Sequence, residues 1–116
     1  RKILMGICTN KRQFVTEKLI QEMNLSKFFT TIVGARDNIP LKPKPNMLIL
    51  TMEGFNTTNK MFYMVGDTSN DIDAAKAANI KSIAVAGGYT DKDVNNLGAT
   101  HTLKNMKDII KLLGLS

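Results

Sequence analysis

Cysteine, histidine and proline are scarce in this 116-residue sequence, with one, one and three copies, and tryptophan is absent. A lone thiol, Cys8, rules out an internal disulfide framework and favours a reducing, cytoplasmic setting. No apolar run approaches the roughly 18 residues that span a bilayer, and no secretory pattern opens the chain, so no membrane partner is expected. Aromatic residues make up only 6% and never interleave with a basic run, so no nucleic-acid partner is expected either. The formal charge of +6 comes from scattered lysines, among them Lys18, Lys27, Lys60, Lys76, Lys81, Lys92, Lys104, Lys107 and Lys111, mostly beside apolar helix positions, as on solvated faces. What remains, 43% hydrophobic and 22% charged residues, is the composition of an ordinary globular chain of one domain, residues 1–116. The chain opens on Arg1, two residues before an apolar run, as a fragment or a processed product would.

The stretch around which the rest is organised is Met61–Ala75, MFYMVGDTSNDIDAA. Its apolar start, Met61–Val65, reads as a strand buried on both faces, and its alanine-rich end as a helix. Asp67 and Asp71 then leave the carboxyl end of a buried strand, where open α/β sheets place their ligands. Two carboxylates four residues apart across such a junction can point at one spot. Like charges held that close call for a cation, and hard oxygen ligands suit Mg2+. The plainer alternative is a helix start at which Asp67 or Ser69 only caps free N–H groups.

Ile3–Cys8 (ILMGIC) reads as a second buried strand, ending at the polar pair Thr9 and Asn10. From Gln13 to Met23 the residues Phe14, Val15, Leu19, Ile20 and Met23 recur at helical spacing, and Asn24-Leu25-Ser26 ends that helix. Thr30–Val33, inside FFTTIVG, reads as a third strand. In Asp37–Pro45 (DNIPLKPKP), Pro40, Pro43 and Pro45 hold Lys42 and Lys44 on a stiff, extended path. A helix follows from Pro45 to about Met52 and stops at Gly54, and Asn56–Lys60 is a polar link. After the alanine-rich helix, closed by Asn79, the pattern predicts a strand at Ser82–Val85, a loop at Ala86–Tyr89 and a weak polar helix at Asp91–Leu97. An edge strand at Thr100–Leu103 and a closing helix at Met106–Leu113 complete the chain. Strands alternating with helices mean an α/β fold, a Rossmann-like three-layer sandwich with a mostly parallel sheet and right-handed crossovers.

In a parallel sheet the strand ends share one edge, so Thr9, Asn10, Lys42, Asp67 and Asp71 can converge there. A hydroxyl, an amide, an ammonium and two carboxylates suit a phosphate. Thr9 and loop N–H groups hold its oxygens, Lys42 neutralises charge, and the carboxylates hold Mg2+ on another oxygen.

ICTN (Ile7–Asn10), KPKP (Lys42–Pro45) and GDTSND (Gly66–Asp71) resemble the second, third and fourth motifs of the haloacid dehalogenase superfamily of phosphatases. The resemblance is closest to phosphoglycolate-phosphatase-like members and runs over nearly the whole chain, the GGY loop at Gly87–Tyr89 included. It implies a Mg2+-dependent hydrolase acting on a small phosphorylated metabolite. In it, Thr9 hydrogen-bonds the transferring phosphoryl group, helped by the Asn10 backbone, and Lys42, held by a carboxylate such as Asp71, stabilises an aspartyl-phosphate and its leaving oxygens. Asp67 is implied as the main Mg2+ ligand, Asp71 as a ligand or as the group orienting water and Lys42, and Asn70 as support for the same shell. Lys44 falls at the variable position of the third motif and is given a surface role.

The sequence also departs from the family. The first motif, a DxD strand with the nucleophile and the general acid/base, has no counterpart: Asp71-Ile72-Asp73 opens a helix and Asp91-Lys92-Asp93 lies in a polar segment. The cap domain between the first and second motifs is missing too. In the family the first strand lies between those corresponding to Ile3–Cys8 and Met61–Val65, so this chain reads as a half-site that alone forms no aspartyl-phosphate. The two flanking strands are expected either to close the gap by pairing or to recruit another chain, self-association included. Two other readings stand beside this one. The first is a non-catalytic truncated domain acting as a binding or interaction module. The second is a receiver-like domain with Asp67 as phospho-acceptor, which lacks the acidic cluster that such domains carry after their first strand.

Plain structural roles are expected for several conspicuous residues: Cys8 as a small buried hydrophobe, His101 facing solvent, and Asp73 on an exposed helix face. Met47, Met52, Met61 and Met64 read as packing, and Gly87 and Gly88 as turn geometry.

Overall fold

The computed structural model describes residues 3–55, 61–86, 97–105 and 107–112. Strands and helices alternate as far as β4: β1 (Gly6–Arg12), α1 (Gln13–Glu22), β2 (Thr31–Ala35), α2 (Asn46–Glu53), β3 (Tyr63–Gly66), α3 (Ser69–Ala77) and β4 (Lys81–Val85), with β5 (His101–Leu103) and α4 (Asp108–Leu112) completing the described elements. All strand pairs are parallel, β1 with β2, β3 with β4 and β4 with β5, as expected when helices form the crossovers. The apolar runs behave accordingly: Ile83, Ala84 and Val85 of β4 are buried, as are Val33 and Ala35 of β2. No helix among the described residues is long and apolar enough to cross a membrane.

The strands form two separate sheets, β1–β2 and β3–β4–β5. Direct pairing of β1 with β3, one of the two expected ways of closing the gap, does not occur among the described residues. α2 lies against β1 and β2, and α3 lies against β3 and β4. Leu48 of α2, Met64 of β3 and Ala74 and Ala75 of α3 pack into one buried cluster, with Cys8 of β1 against it. This layer of side chains holds the two sheets side by side without hydrogen-bonding their edges. A second cluster, Ile72, Ala84 and Leu97, anchors the far side of α3.

Several boundaries and burial faces differ from the sequence pattern. β1 begins at Gly6, leaving Ile3, Leu4 and Met5 exposed, and it continues through Thr9 and Asn10 to Arg12 with an irregular register after Cys8. In α1 the buried residues are Thr16 and Ile20, whereas Phe14, Val15, Leu19 and Met23 of the apolar stripe stand exposed. Polar anchoring decides this orientation. Gln13 Nε2 donates to the Ile32 carbonyl at 3.0 Å, and its Oε1 accepts from Gly34 N at 2.5 Å and Arg36 at 2.6 Å. A side chain at Gly34 would strike the Lys11 carbonyl and the Gln13 backbone, so glycine there lets the start of α1 lie on β2.

Met47 and Met64 are buried and Met52 is half-buried, but Met61 is exposed because β3 starts only at Tyr63. His101 is half-buried, not solvent-facing: its ring lies 6.4 Å from that of Tyr63. Asn79 ends α3 in the left-handed conformation (φ 60) with its N–H on the Lys76 carbonyl. The Asn56–Lys60 link, the Gly87–Tyr89 loop and positions 91–96 of the weak helix lie outside the described residues.

Candidate active site

Lys42 is the one buried residue between Arg36 and Asn46, a segment otherwise exposed or half-buried. A buried ammonium needs partners that replace its water. Lys42 Nζ donates to the Cys8 carbonyl at 2.8 Å and to Asp71 Oδ1 at 2.5 Å, with side-chain exposures of 7% for Lys42 and 13% for Asp71. The Lys42 backbone is held as well: Asn10 Nδ2 donates to its carbonyl (3.1 Å), and its N–H donates to Asn10 Oδ1 (3.0 Å).

Asp71 sits in the first turn of α3, where a carboxylate is favoured by the helix dipole. Thr68 caps that helix. Its Oγ1 donates to Asp71 Oδ2 at 3.2 Å and accepts from Asp71 N at 3.5 Å. Both carboxylate oxygens of Asp71 are therefore engaged, one by an ammonium and one by a hydroxyl. Gly66 makes this approach feasible, because a Cβ at that position would overlap the Asp71 carboxylate.

Thr9 lies between Cys8 and Asn10, both of which touch Lys42, and its own Oγ1 accepts from Lys11 N at 3.2 Å. Asp67 lies between Gly66 and Thr68, both against Asp71, at the carboxyl end of β3, and is half-buried. The segments 8–10, 42 and 66–71 thus meet at one end of the two sheets. Asn70, Asp73 and Lys44 are exposed. Of the two roles left open for Asp71, the hydrogen bonds favour holding Lys42.

Among the described residues no group of three or more His, Cys, Asp or Glu side chains is disposed to hold a metal ion. Mg2+ commonly takes only one or two protein carboxylates and completes its shell with water and phosphate oxygens. The donors here fit that partial role, with Asp67 as the carboxylate at the strand end, and do not fit a self-contained cage.

Three contributions escaped the sequence pattern: the Asn10 side chain as a clamp, the Cys8 carbonyl as an acceptor, and Thr68 as a partner of Asp71. Thr68 had a signal, a hydroxyl residue three positions before an acid at a helix start. Nothing in sequence links Asn10 to Lys42, which lies 32 residues away.

Cys8 packs half-buried against the Leu48 cluster. Burial pushes its thiol above the usual value, outweighing a hydrogen bond with Thr51 and the nearby Lys42 charge, while Asp71 adds to the rise. Because the folded pKa is the higher one, this contribution to stability is present below the unfolded thiol pKa and fades as pH rises through the folded one. Iodoacetamide is accordingly expected to label Cys8 slowly at pH 8 in the native protein and fast in urea, measured by mass spectrometry. Equal rates would contradict the burial.

The fold and these three segments define a class, and comparison with known proteins agrees with it. The chain belongs to the haloacid dehalogenase-like hydrolase family, whose model matches residues 1–85. It resembles the phosphoglycolate phosphatase of Escherichia coli strain K12, at 30% identity over 112 residues, covering 96% of this chain and 44% of that protein. The chain thus spans less than half the length of this curated relative. A predicted phosphoglycolate phosphatase of Haemophilus somnus shares the fold with a TM-score of 0.85 at 22% identity, over 95% of this chain and 49% of that one. CbbY of Rhodobacter sphaeroides, solved in complex with phosphate, matches with a TM-score of 0.74 at 21% identity, over 89% of this chain and 47% of that one.

Proposed function

We propose that this chain supplies the phosphate-binding half of a Mg2+-dependent phosphomonoester hydrolase of the phosphoglycolate phosphatase type. The observation that carries this reading is the buried Lys42 ammonium, locked by Asp71 and a β1 carbonyl at the sheet end that also presents Thr9 and Asp67. A fixed cation in a poorly solvated site is the arrangement that stabilises phosphoryl charge. Thr9 Oγ1 and the Asn10 backbone N–H orient the phosphate of a small phosphorylated metabolite, and Lys42 balances its charge. Asp71, with Asn70 beside it on the first turn, keeps Lys42 in place; Asp67 contributes a ligand to Mg2+, which supplies electrophilic activation when bound.

The nucleophile is not among these residues, so the chain alone is expected to show no turnover of p-nitrophenyl phosphate with Mg2+. It is expected to bind inorganic phosphate, followed by 31P NMR line broadening, and Lys42→Ala is expected to weaken that binding about tenfold or more, as for loss of a charge-assisted contact. Phosphate that binds both proteins equally would remove the assignment.

One observation favours a second reading, a non-catalytic binding module in a reducing, cytoplasmic setting. Among the described residues β1 and β3 do not pair with each other, and a strand edge left without a partner is a template for a strand from another chain or a second copy. No turnover combined with strong self-association in sedimentation would favour it.

A further inference from the structure

We infer that the Asn10 side chain is the positioning device for Lys42, setting where the ammonium stands; the functional side of this rests on the proposed role of Lys42 at the phosphate. Among the described residues, few other contacts hold the main chain on either side of Lys42 before α2 begins. The flanking residues Leu41, Pro43 and Lys44 are exposed, and Pro40, Pro43 and Pro45 have no N–H to give. The hydrogen bond from Lys44 N to the Leu41 carbonyl stays within the loop. The ion pair of Arg12 with Asp37, 3.8 Å apart with side chains 67% and 86% exposed, adds little.

Against this, the Asn10 carboxamide presents donor and acceptor to the carbonyl and N–H of the same residue, Lys42, at 3.1 and 3.0 Å. A side chain thereby does what a neighbouring strand does in a ladder, and it pins the Lys42 main chain to β1. With its backbone fixed, the lysine side chain reaches both the Cys8 carbonyl and Asp71. On the proposed function the backbone N–H of Asn10 serves the phosphate while its carboxamide serves Lys42, so one residue would couple ligand binding to the cation through separate groups.

The geometry dictates the variants. Asn10→Asp is isosteric but turns an acceptor oxygen toward the Lys42 carbonyl, and Asn10→Ala removes both bonds. In the wild-type chain, hydrogen exchange of the Lys42 amide should be slow; fast exchange overturns the inference without any variant. The 15N ammonium resonance of Lys42, assigned by its loss in Lys42→Ala, should move or broaden beyond detection in both Asn10 variants. An unchanged resonance in a folded variant overturns the inference. Phosphate affinity should fall about tenfold in Asn10→Ala but change little when Asn10→Ala is added to Lys42→Ala, the non-additivity expected when one residue acts through the other. Additive losses overturn it, because a generally structural residue would weaken both backgrounds alike. If the wild type binds no phosphate, the role proposed for Lys42 fails while the exchange and resonance data still decide the clamp.

Discussion

Asp71→Ala is expected to lower the unfolding free energy by about 3–5 kcal/mol, the usual cost of removing one partner from a buried ion pair. The Lys42 side chain, only 7% exposed, would be left with the Cys8 carbonyl, and Thr68 would lose the oxygen it donates to. Replacing both members together, Lys42→Met with Asp71→Leu, is expected to recover most of that loss. Neither charge then has to be taken from water, and the cavity keeps similar volume. Urea unfolding of the three proteins measures this through the transition midpoints and slopes. An Asp71→Ala protein as stable as the wild type would mean that the pair is not part of the framework. The stable double variant should at the same time lose phosphate binding, separating what the pair does for the fold from what it does for the site.

Gly66→Ala is expected to be the most disruptive single methyl that can be added to the site. The new Cβ would overlap not only the carboxylate oxygens of Asp71 but its Cβ and Cγ, so no rotation of a flexible tip relieves it. Either β3 or the first turn of α3 must retreat, at about 1–3 kcal/mol for an overpacked position, and Asp71 leaves Lys42 as it does so. A thermal melt checks the first effect and the Lys42 ammonium resonance the second. A Gly66→Ala protein with wild-type melting and an unmoved resonance would show that strand and helix are not in tight contact.

This tight contact explains why part of the site was legible in advance. The run Met61–Val65 followed by Gly66-Asp67 and an alanine-rich segment is a local pattern, and its strand, turn and helix appear within two residues of the expected limits. The ends of α2 at Pro45 and Gly54 were legible for the same reason, since proline and glycine act on their own backbone. Lys42 stood out because three prolines hold it in an extended loop, yet its burial could not be read there. Lysine is seldom buried, and this one is buried because a carbonyl from residue 8 and a carboxylate from residue 71 meet it.

The misreadings have a common physical origin. The apolar stripe of α1 pointed to Phe14, Val15, Leu19, Ile20 and Met23 as the inner face; of these only Ile20 is buried, together with Thr16, and Gln13 ties the start of the helix to Ile32 and Gly34 of β2 and to Arg36 just beyond it. Periodicity reports that a helix has two faces; which one is covered depends on what its ends are tied to. Likewise Ile3–Met5 look like strand by composition, but β2 pairs from Gly6 onward, so the ladder begins where its partner does.

The amino-acid sequence by itself determined the order of strands and helices and the residue types at the strand ends. It also determined the family, because runs, breakers and motifs act through neighbours along the chain. Only the tertiary structure decided that β1 and β3 stay apart among the described residues, that Thr68 takes the second oxygen of Asp71, and that Asn10 reaches 32 residues along the chain to hold Lys42. Such choices depend on which groups lose their water together, and that is set by packing between segments that carry no local record of one another.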